Sequence, residues 1–440
     1  MAGYDHYKTP LDSRYSSEEM KTLFSQRSRQ GTWRHLWLWL AEAQRELGLE
    51  NITEEALTQM RDHLTVTDHD FEVAKEEEAR RRHDVMSHVH AAAAGIIHAG
   101  ATSCYVTDNT EFALKWREEP TLGYTHYQPA QMITVGKRAA EWAHELTLDL
   151  EDIEHVRKEL RFRGGQGTTG TQASFLELFK GDEAKVDQLN VLLCEKAGFP
   201  SCYDISTQTY TRKVDLRIAN AVAGLGATVQ RITSDIRHLA NMKEMEEPFE
   251  RDQIGSSAMA YKRNPMLSER LCSLGRKLAS LPVNFTNTYS AQWMERSLDD
   301  SAIRRIDIPE MFLLADAVLI GLDNVTNGLV VYPKRIDSHN KQELPFMITE
   351  AILMKILAKG GSRQEAHERG GSNDLIERIK KDEYFKPVWD EIDDMLDPKL
   401  YIGRSTTIVD RFCGKGGVVE KKLEPYQDYI SKAETIKLSL

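Results

Sequence analysis

The longest regular pattern in the chain lies at residues 218–239, whose sequence is IANAVAGLGATVQRITSDIRHL. Apolar side chains recur there in alternating steps of four and three residues, at Ile218, Val222, Leu225, Val229, Ile232, Ile236 and Leu239. A heptad repeat of this kind is typical of a long helix with one face packed between the side chains of neighbouring helices. The pattern therefore predicts one helix of an extended bundle.

Similar patterns predict that most of the chain is helical. We call such a line of apolar side chains along one helix face a seam. A second seam runs along Trp142, Leu146, Leu150, Ile153, Val156 and Leu160, and a third along Met311, Leu314, Val318, Leu322 and Val325. Trp33, Trp37, Leu40 and Leu47 mark an N-terminal helix, and residues 344–357 begin another after the break at 331–333. No stretch shows convincing strand alternation. We therefore expect an all-α fold of three helical domains, residues 1–103, 104–331 and 332–440, with the long bundle in the middle one.

Composition limits the classes of protein to consider. The 440 residues are 41% apolar and 28% charged, as in ordinary soluble proteins, and no apolar run approaches the roughly 20 residues needed to span a bilayer. Five cysteines without a CxxC pair, and an N-terminus without a signal peptide, indicate the cytoplasm and no structural zinc. The net charge of -11 argues against nucleic acid as a partner, so anionic ligands must meet local arginine clusters.

The segment with the most chemical information is residues 255–265, GSSAMAYKRNP. It is polar, begins with glycine and ends with proline between two helical stretches. We expect a loop that can move, with Gly255 as a hinge and Pro265 setting the start of the next helix. Composition alone also fits a simple turn.

A second candidate is residues 121–131, TLGYTHYQPAQ, which place His126 among hydroxyls and amides just before a helix. Histidine has the unperturbed pKa nearest neutrality, so it can donate or accept a proton during turnover. A single histidine in a loop is more often structural, and the local sequence leaves both interpretations open.

Three further segments favour anion binding. Residues 82–90, RHDVMSHVH, contain three histidines, but their spacing differs from the i, i+4 pair of a zinc helix, so Arg82 and His83 fit anion ligands better than a metal site. Residues 101–104 supply hydroxyls, and residues 295–305 supply arginines that bind carboxylate or phosphate through paired hydrogen bonds. Spacing alone does not distinguish these arginines from surface ion pairs.

Together these segments resemble the fumarase/aspartase superfamily, whose signature is Gly-Ser-Ser-x-Met-x-x-Lys-x-Asn. Residues 255–264 match every fixed position. Residues 82–86, Thr125-His126, residues 208–215 and residues 298–301 resemble the adenylosuccinate lyase family of the animal type, and the resemblance runs from about Ser13 to near the C-terminus.

The resemblance implies a three-domain helical subunit with a long central bundle, assembled as a homotetramer whose active sites are shared between subunits. It implies β-elimination of fumarate from two succinyl-purine nucleotides, in the cytoplasm, without a cofactor. Another superfamily member, such as argininosuccinate lyase or fumarase, is the alternative enzyme. A structural protein on a lyase scaffold is the alternative of a different class, although His126, Ser256 and Lys262 are all retained.

The resemblance also implies roles for individual residues. Ser256 would be the general base and His126 the general acid, with Glu269 orienting the histidine. Lys262 and Asn264 would stabilise the charged intermediate, and Lys262 could lower the pKa of Ser256. His83 is expected among both the catalytic and the binding residues. The other expected contacts to substrate are Arg14, Tyr15, Arg82, Asp84, Thr102, Ser103, Thr125, Gln208, Arg270, Arg296, Ser301 and Arg305.

The chain departs from the family pattern at two kinds of position. Ala260 stands where the family usually has proline, which leaves the loop backbone less restricted. Residues 90–94, 108–120, 370–371 and 413–417 look contracted, and 108–120 is too short for the family's first long central helix. Either the chain has a true deletion at these stretches, or loop residues are missing from the sequence as it is numbered here. We favour the second explanation.

Overall fold

The computed structural model describes residues 8–81, 104–249, 259, 261–359 and 375–430. In chain order its elements are α1 (Glu18–Leu23), α2 (Gln26–Glu46), α3 (Glu54–Asp62), α4 (Asp68–Arg81), α5 (Cys104–Lys115), β1 (Pro120–Thr125), β2 (Gln128–Thr134), α6 (Val135–Lys158), α7 (Ala173–Leu178), α8 (Glu183–Ala197), α9 (Lys213–Asn241), β3 (Met245–Glu246), α10 (Met266–Ser280), α11 (Pro282–Ser290), α12 (Asp300–Thr326), β4 (Val330–Val331), α13 (Pro333–Met347), α14 (Thr349–Ala358), α15 (Leu375–Ile379), α16 (Ser405–Cys413), α17 (Val418–Leu423) and α18 (Gln427–Ile430). A π-helical turn at Leu11–Tyr15 and short 3-10 turns at Glu383–Glu391, Asp394–Leu396, Pro398–Tyr401 and Glu424–Tyr426 complete the described elements.

The predicted heptad seam forms the centre of the fold. It lies on α9, which spans 29 residues and packs against α6, α10, α11 and α12. Val229, Ile232 and Ile236 are fully buried, and the seams on α6 and α12 contribute Trp142, Leu146, Leu314 and Leu322 to the same core. The sequence prediction of an all-α bundle is confirmed.

Two glycines let α9 and α10 approach at backbone distance. A methyl group placed on Gly226 would lie 2.6 Å from the carbonyl oxygen of Gly275, and one on Gly275 would lie 2.5 Å from that of Gly226. Both are far below van der Waals contact, so neither helix tolerates a side chain at the crossing. This contact holds α10 close against α9 and thereby positions the residues that follow the signature loop.

The expectation of no strands is wrong for residues 120–134. There β1 and β2 form an antiparallel hairpin with an irregularity between Gly123 and Tyr124. The central residues of its turn are His126 and Tyr127 rather than the Asn-Gly or Asp-Gly pairs that mark such turns in a sequence. The polar residues of β2 also hide the alternation that a half-buried strand normally shows.

A second core lies beneath this hairpin. Leu122 and Met132 of the hairpin pack with Ile348 and Ile352, and with apolar residues from 375 to 395. The helix predicted over 344–357 is two helices, because α13 ends at Met347 and α14 begins at Thr349. A third, smaller core joins α2 to α8.

The first central helix is short in this chain. α5 has 12 residues, and a hydrogen-bonded turn, Glu119 N–H to the Trp116 carbonyl at 3.2 Å, leads directly into β1. Residues 413–417 also continue as a turn, with Gly417 N–H bonded to the Gly414 carbonyl at 2.8 Å. Residues 90–94 and 370–371 lie outside the described residues.

Candidate active site

The β1–β2 hairpin presents His126 at its tip. His126 and Tyr127 both have left-handed backbone angles, with φ of 54° and 61°. Two-residue hairpin turns favour such angles because they match the twist of the strands, but side chains other than glycine, asparagine or aspartate adopt them at a cost of about 1–3 kcal/mol each. Thr125, His126 and Tyr127 are all exposed. The hairpin thus holds the candidate acid outside the core in a strained turn.

Contacts with three elements fix the hairpin on the bundle. Tyr127 meets the edge of His238 near the end of α9, with ring centroids 6.1 Å apart. Arg138 on α6 donates a hydrogen bond to the Leu122 carbonyl at 2.7 Å, and Asn340 on α13 donates to that of Pro120 at 3.0 Å. Burial lowers the pKa of Arg138. The orientation of the tip is therefore set from both the bundle and the second core.

The signature segment is described at Met259 and from Tyr261 onwards. Lys262 is exposed, and its backbone N–H bonds to the Met259 carbonyl at 3.0 Å. Arg263 pairs with Glu246 at 3.3 Å and lies over the ring of Phe249. As predicted, α10 begins directly after Pro265. Gly255, Ser256 and Ala260 lie outside the described residues.

Glu247 has a positioning role that the sequence did not suggest. Its carboxylate accepts hydrogen bonds from the backbone N–H groups of Leu267 and Ser268 and from the Ser268 hydroxyl, each at 2.9 Å. Burial raises the pKa of Glu247, while these bonds oppose the increase. An acid that caps the first turn of a helix also interacts favourably with the helix dipole. Glu247 thus joins the residues before the signature loop to α10 after it.

Three of the expected substrate contacts meet at an aromatic ring. The guanidinium of Arg270 on α10 lies 5.4 Å from the centre of the Tyr15 ring, and that of Arg14 lies 5.9 Å from it. The Arg270 Nη1 atom is buried and forms no hydrogen bond with the residues that the structure describes. Glu269, the expected orienting acid, is exposed one residue earlier. This group has cationic donors available for an anion.

A second group of expected contacts forms around Asp300. Arg296 donates a hydrogen bond to the Gln208 side-chain oxygen at 3.1 Å and lies 3.6 Å from Asp300. Arg212 forms an ion pair with the same carboxylate at 2.6 Å, with both side chains almost fully buried. Ser301 lies in the first turn of α12, and Arg305 is exposed four residues later on the same face.

Arg163 belongs to this group, although it lies outside the motifs that mark the other site residues. Its Nη2 donates to the carbonyl oxygens of Gly167 at 2.9 Å and Thr207 at 3.2 Å, next to Gln208. Burial lowers the pKa of Arg163, and the nearby charges of Arg212 and Arg296 lower it further. An arginine within a glycine-rich stretch was the available signal. Asp300 alone cannot neutralise these three guanidinium groups, so the local field favours an anion.

The Asp300 group and the tip of the hairpin lie at opposite ends of α9. Gln208 and Arg212 precede the first turn of α9, where Arg212 pairs with Asp300, whereas Tyr127, the neighbour of His126, contacts His238 in the last turn. At 1.5 Å per residue, the separation along the helix is roughly 35–40 Å. A single small molecule cannot contact both groups of one chain. The structure unites Gln208 with Arg296, and Arg14 and Tyr15 with Arg270, but it does not bring His126 to Gln208.

Six expected site residues fall outside the described part of the chain. They are Arg82, His83, Asp84, Thr102, Ser103 and Ser256. Within the described ranges, no group of three or more histidine, cysteine, aspartate or glutamate side chains is placed to hold a metal ion. No described helix is long and apolar enough to cross a membrane.

Comparison with known families agrees with these local features. Residues 110–278 match the family described as Lyase, and residues 345–412 match the family described as Adenylosuccinate lyase C-terminus. The fold is similar to that of 3-carboxy-cis,cis-muconate lactonizing enzyme from Pseudomonas putida, with a TM-score of 0.75, 19% identity and 95% and 99% of the two chains covered. A fumarate lyase from Mesorhizobium has a TM-score of 0.74 at 20% identity, covering 93% of this chain and 99% of that one.

Curated relatives extend the similarity over the whole chain. The adenylosuccinate lyase of Saccharomyces cerevisiae is 49% identical, with 100% of both chains covered, and that of Schizosaccharomyces pombe is 47% identical, with 98% of both covered. The alignment with the Saccharomyces protein spans 485 positions, so that relative has residues that this 440-residue chain lacks. On this identity and coverage, the chain belongs to the adenylosuccinate lyase family.

Proposed function

We propose that the chain eliminates fumarate from adenylosuccinate, giving AMP, and from succinyl-aminoimidazole-carboxamide ribotide (SAICAR), giving AICAR. The observation that carries this proposal is the 49% identity with an adenylosuccinate lyase over the full length of both chains. The reaction class is carbon–nitrogen lyase. It needs no cofactor, because a proton transfer and an elimination can be performed by side chains alone.

Elimination requires one group to remove a proton and another to supply one. In the proposal, Ser256 removes the proton on the carbon beside a succinyl carboxylate, and His126 protonates the departing nitrogen as the carbon–nitrogen bond breaks. The proton beside a carboxylate is weakly acidic, so the anionic intermediate needs positive charge placed in advance. Lys262, Asn264, Arg82 and His83 supply that environment, and Glu269 orients His126. Asp84 is a further proposed contact to the substrate.

The two cationic groups match the charges of such a substrate. A succinyl nucleotide carries a phosphate and two carboxylates, and the groups around Tyr15 and Asp300 supply Arg14, Arg270, Arg296 and Arg305. Thr102, Ser103, Thr125, Gln208 and Ser301 add uncharged donors to this proposed binding set. Cations from separate segments thus explain how a chain of net charge -11 would hold an anion.

The separation of His126 from Gln208 supports an assembly with shared active sites. Because His126 and Gln208 lie at opposite ends of α9, a complete site needs one end of one subunit beside the other end of another. Exposed apolar side chains on and near α11 and α12, including Val283, Trp293 and Ile306 at 63%, 67% and 59% exposure, offer a surface for that contact. We propose a cytoplasmic homotetramer with shared active sites, divided into domains at 1–103, 104–331 and 332–440.

A panel of substrates tests the proposed activity. Purified chain is incubated separately with adenylosuccinate, SAICAR, argininosuccinate and malate, and the products are separated by chromatography. We expect fumarate from the two purine substrates alone, with AMP or AICAR in equal amount. Fumarate from argininosuccinate or malate, with the purine substrates unchanged, would replace the proposed substrate class with another of the superfamily.

A further inference from the structure

Two cysteines lie side by side next to the Asp300 end of the bundle. The sulfur atoms of Cys194, in the last turn of α8, and Cys202 are 3.4 Å apart, and both thiols are free. Cys194 is 5% exposed and Cys202 is partly exposed. The other described cysteines, Cys272 and Cys413, are buried without a neighbouring thiol. This pair is therefore the one described place where two thiols can react with each other.

The backbone holds the pair together locally. α8 ends at Gly198, whose left-handed φ of 71° turns the chain back towards the helix. Residues 201–203 then pair with Phe162, whose N–H bonds to the Ser201 carbonyl at 3.0 Å and whose carbonyl accepts from Tyr203 N–H at 2.9 Å. A disulfide has a sulfur–sulfur distance of about 2.05 Å, so the two side chains need to approach by little more than 1 Å.

We propose that Cys194 and Cys202 form a modification site that a hydroperoxide converts to an intrachain disulfide. The Cys194 thiolate attacks one peroxide oxygen, the oxygen–oxygen bond breaks, and Cys194 becomes a sulfenic acid. Cys202 then attacks that sulfur and releases the oxygen as water once its own proton is transferred. In total, two thiols lose two hydrogens and one hydrogen peroxide becomes two waters. Burial and the neighbouring Cys194 raise the pKa of Cys202 to about 12, which disfavours Cys202 as the thiol that attacks the peroxide first.

The disulfide would act on the substrate-binding end through Arg163. Cys202 packs directly against Gly164, where an added methyl group would lie 2.6 Å from the Cys202 sulfur. The preceding residue, Arg163, holds the Thr207 carbonyl at 3.2 Å, beside Gln208. Drawing Cys202 towards Cys194 changes its contact with Gly164 and so disturbs this chain of contacts. The predicted result is weaker substrate binding with little change in the chemical step, and this effect rests on the proposed role of Gln208.

Peroxide treatment with peptide mapping tests the site. The unmodified chain and the Cys194→Ala, Cys202→Ala and Cys413→Ala variants are treated with hydrogen peroxide, and disulfides are located by mass spectrometry before and after reduction. We expect a reducible 194–202 link in the unmodified chain and in Cys413→Ala, and none in the other two variants. Absence of that link in the unmodified chain overturns the proposal, whether or not the chain has lyase activity.

Kinetics on the same samples test the coupling to the site. We expect the KM for adenylosuccinate to rise severalfold on oxidation and to return on reduction, with kcat nearly constant, in the unmodified chain and in Cys413→Ala. The KM of Cys194→Ala and the KM of Cys202→Ala should not change on oxidation. Both variants are measured so that the test still holds if one of them fails to fold. A mapped disulfide with an unchanged KM, or an equal KM response in Cys194→Ala, overturns the coupling.

Discussion

Arg212 and Asp300, 88 residues apart in sequence, form a buried ion pair in which Arg212 Nε donates to Asp300 Oδ2 at 2.6 Å. Their side chains are 5% and 1% exposed. Asp300 also faces Arg296 at 3.6 Å, so one carboxylate organises two guanidinium groups. The pair joins the segment that contains Gln208 to the start of α12.

Removal of this carboxylate should be strongly destabilising. Asp300→Ala leaves the Arg212 charge buried without compensation, and we expect the free energy of unfolding to fall by about 3–5 kcal/mol, measured by urea denaturation. The matched control is Glu383→Ala, which removes an exposed ion pair with Lys386 and should change stability by less than about 1 kcal/mol. Equal effects of the two variants would show that burial of the Asp300 pair is unimportant.

The hairpin turn should gain stability from glycine. Tyr127 is 86% exposed with a left-handed φ of 61°, so Tyr127→Gly removes backbone strain and gives up only the ring contact with His238, which Tyr127→Ala also removes. We expect the free energy of unfolding to rise by about 1 kcal/mol in thermal or urea denaturation. Tyr127→Ala is the control, since alanine keeps the strain, and a gain as large as that of glycine would argue against strain at this position.

Stability should depend on pH through Asp149. Burial raises the pKa of this carboxyl to about 7, and its Oδ2 accepts no hydrogen bond from the described residues. Because the pKa is higher in the folded chain than in the unfolded chain, the protonated group contributes stability at low pH, and that contribution is lost as pH rises through about 7.

The substitution Asp149→Asn removes this titration. One pKa unit corresponds to about 1.36 kcal/mol. The free energy of unfolding of the variant, relative to that of the unmodified chain, should therefore be higher at pH 8 than at pH 4 by up to about 4 kcal/mol, as measured by urea denaturation at both pH values. Glu159→Gln changes an exposed carboxyl just after the same helix and should show no such gain. An Asp149→Asn difference that is constant with pH would contradict the assignment.

The crossing of α9 and α10 should not accept a methyl group. Gly275→Ala would place Cβ 2.5 Å from the Gly226 carbonyl oxygen, and the helices must separate to relieve the clash. We expect a loss of about 1–3 kcal/mol in the free energy of unfolding. Ser273→Ala, at an exposed position on the same helix, is the control. Stability unchanged in both variants would mean that the helices are not in backbone contact.

The helical bundle could be predicted because the apolar repeats that define it each lie within a single helix. The seam on α9 repeats within one helix, and each of its residues from Val222 to Leu239 is buried in the structure. The hairpin could not be predicted in the same way, since His126-Tyr127 is an unusual turn pair and its strain is offset by contacts from Arg138 and Asn340. Those contacts depend on the assembled fold.

The candidate site was predictable in its residue types and not in its arrangement. Motifs identified Gln208 and Arg296, but their 3.1 Å contact joins residues far apart in sequence. Glu247 and Arg163 act through backbone groups that no side-chain motif specifies. The separation of His126 from Gln208 along α9 likewise emerges only from the three-dimensional structure.

The most direct measurement is fumarate release from adenylosuccinate by the unmodified chain, by His126→Ala and by Ser256→Ala, with the mass of each assembly measured by light scattering. The proposed roles predict fumarate from the unmodified chain and a rate at least about 10²-fold lower in each variant, with all three assemblies of equal mass. Full activity in either variant, or no fumarate from the unmodified chain, would contradict the proposed acid and base.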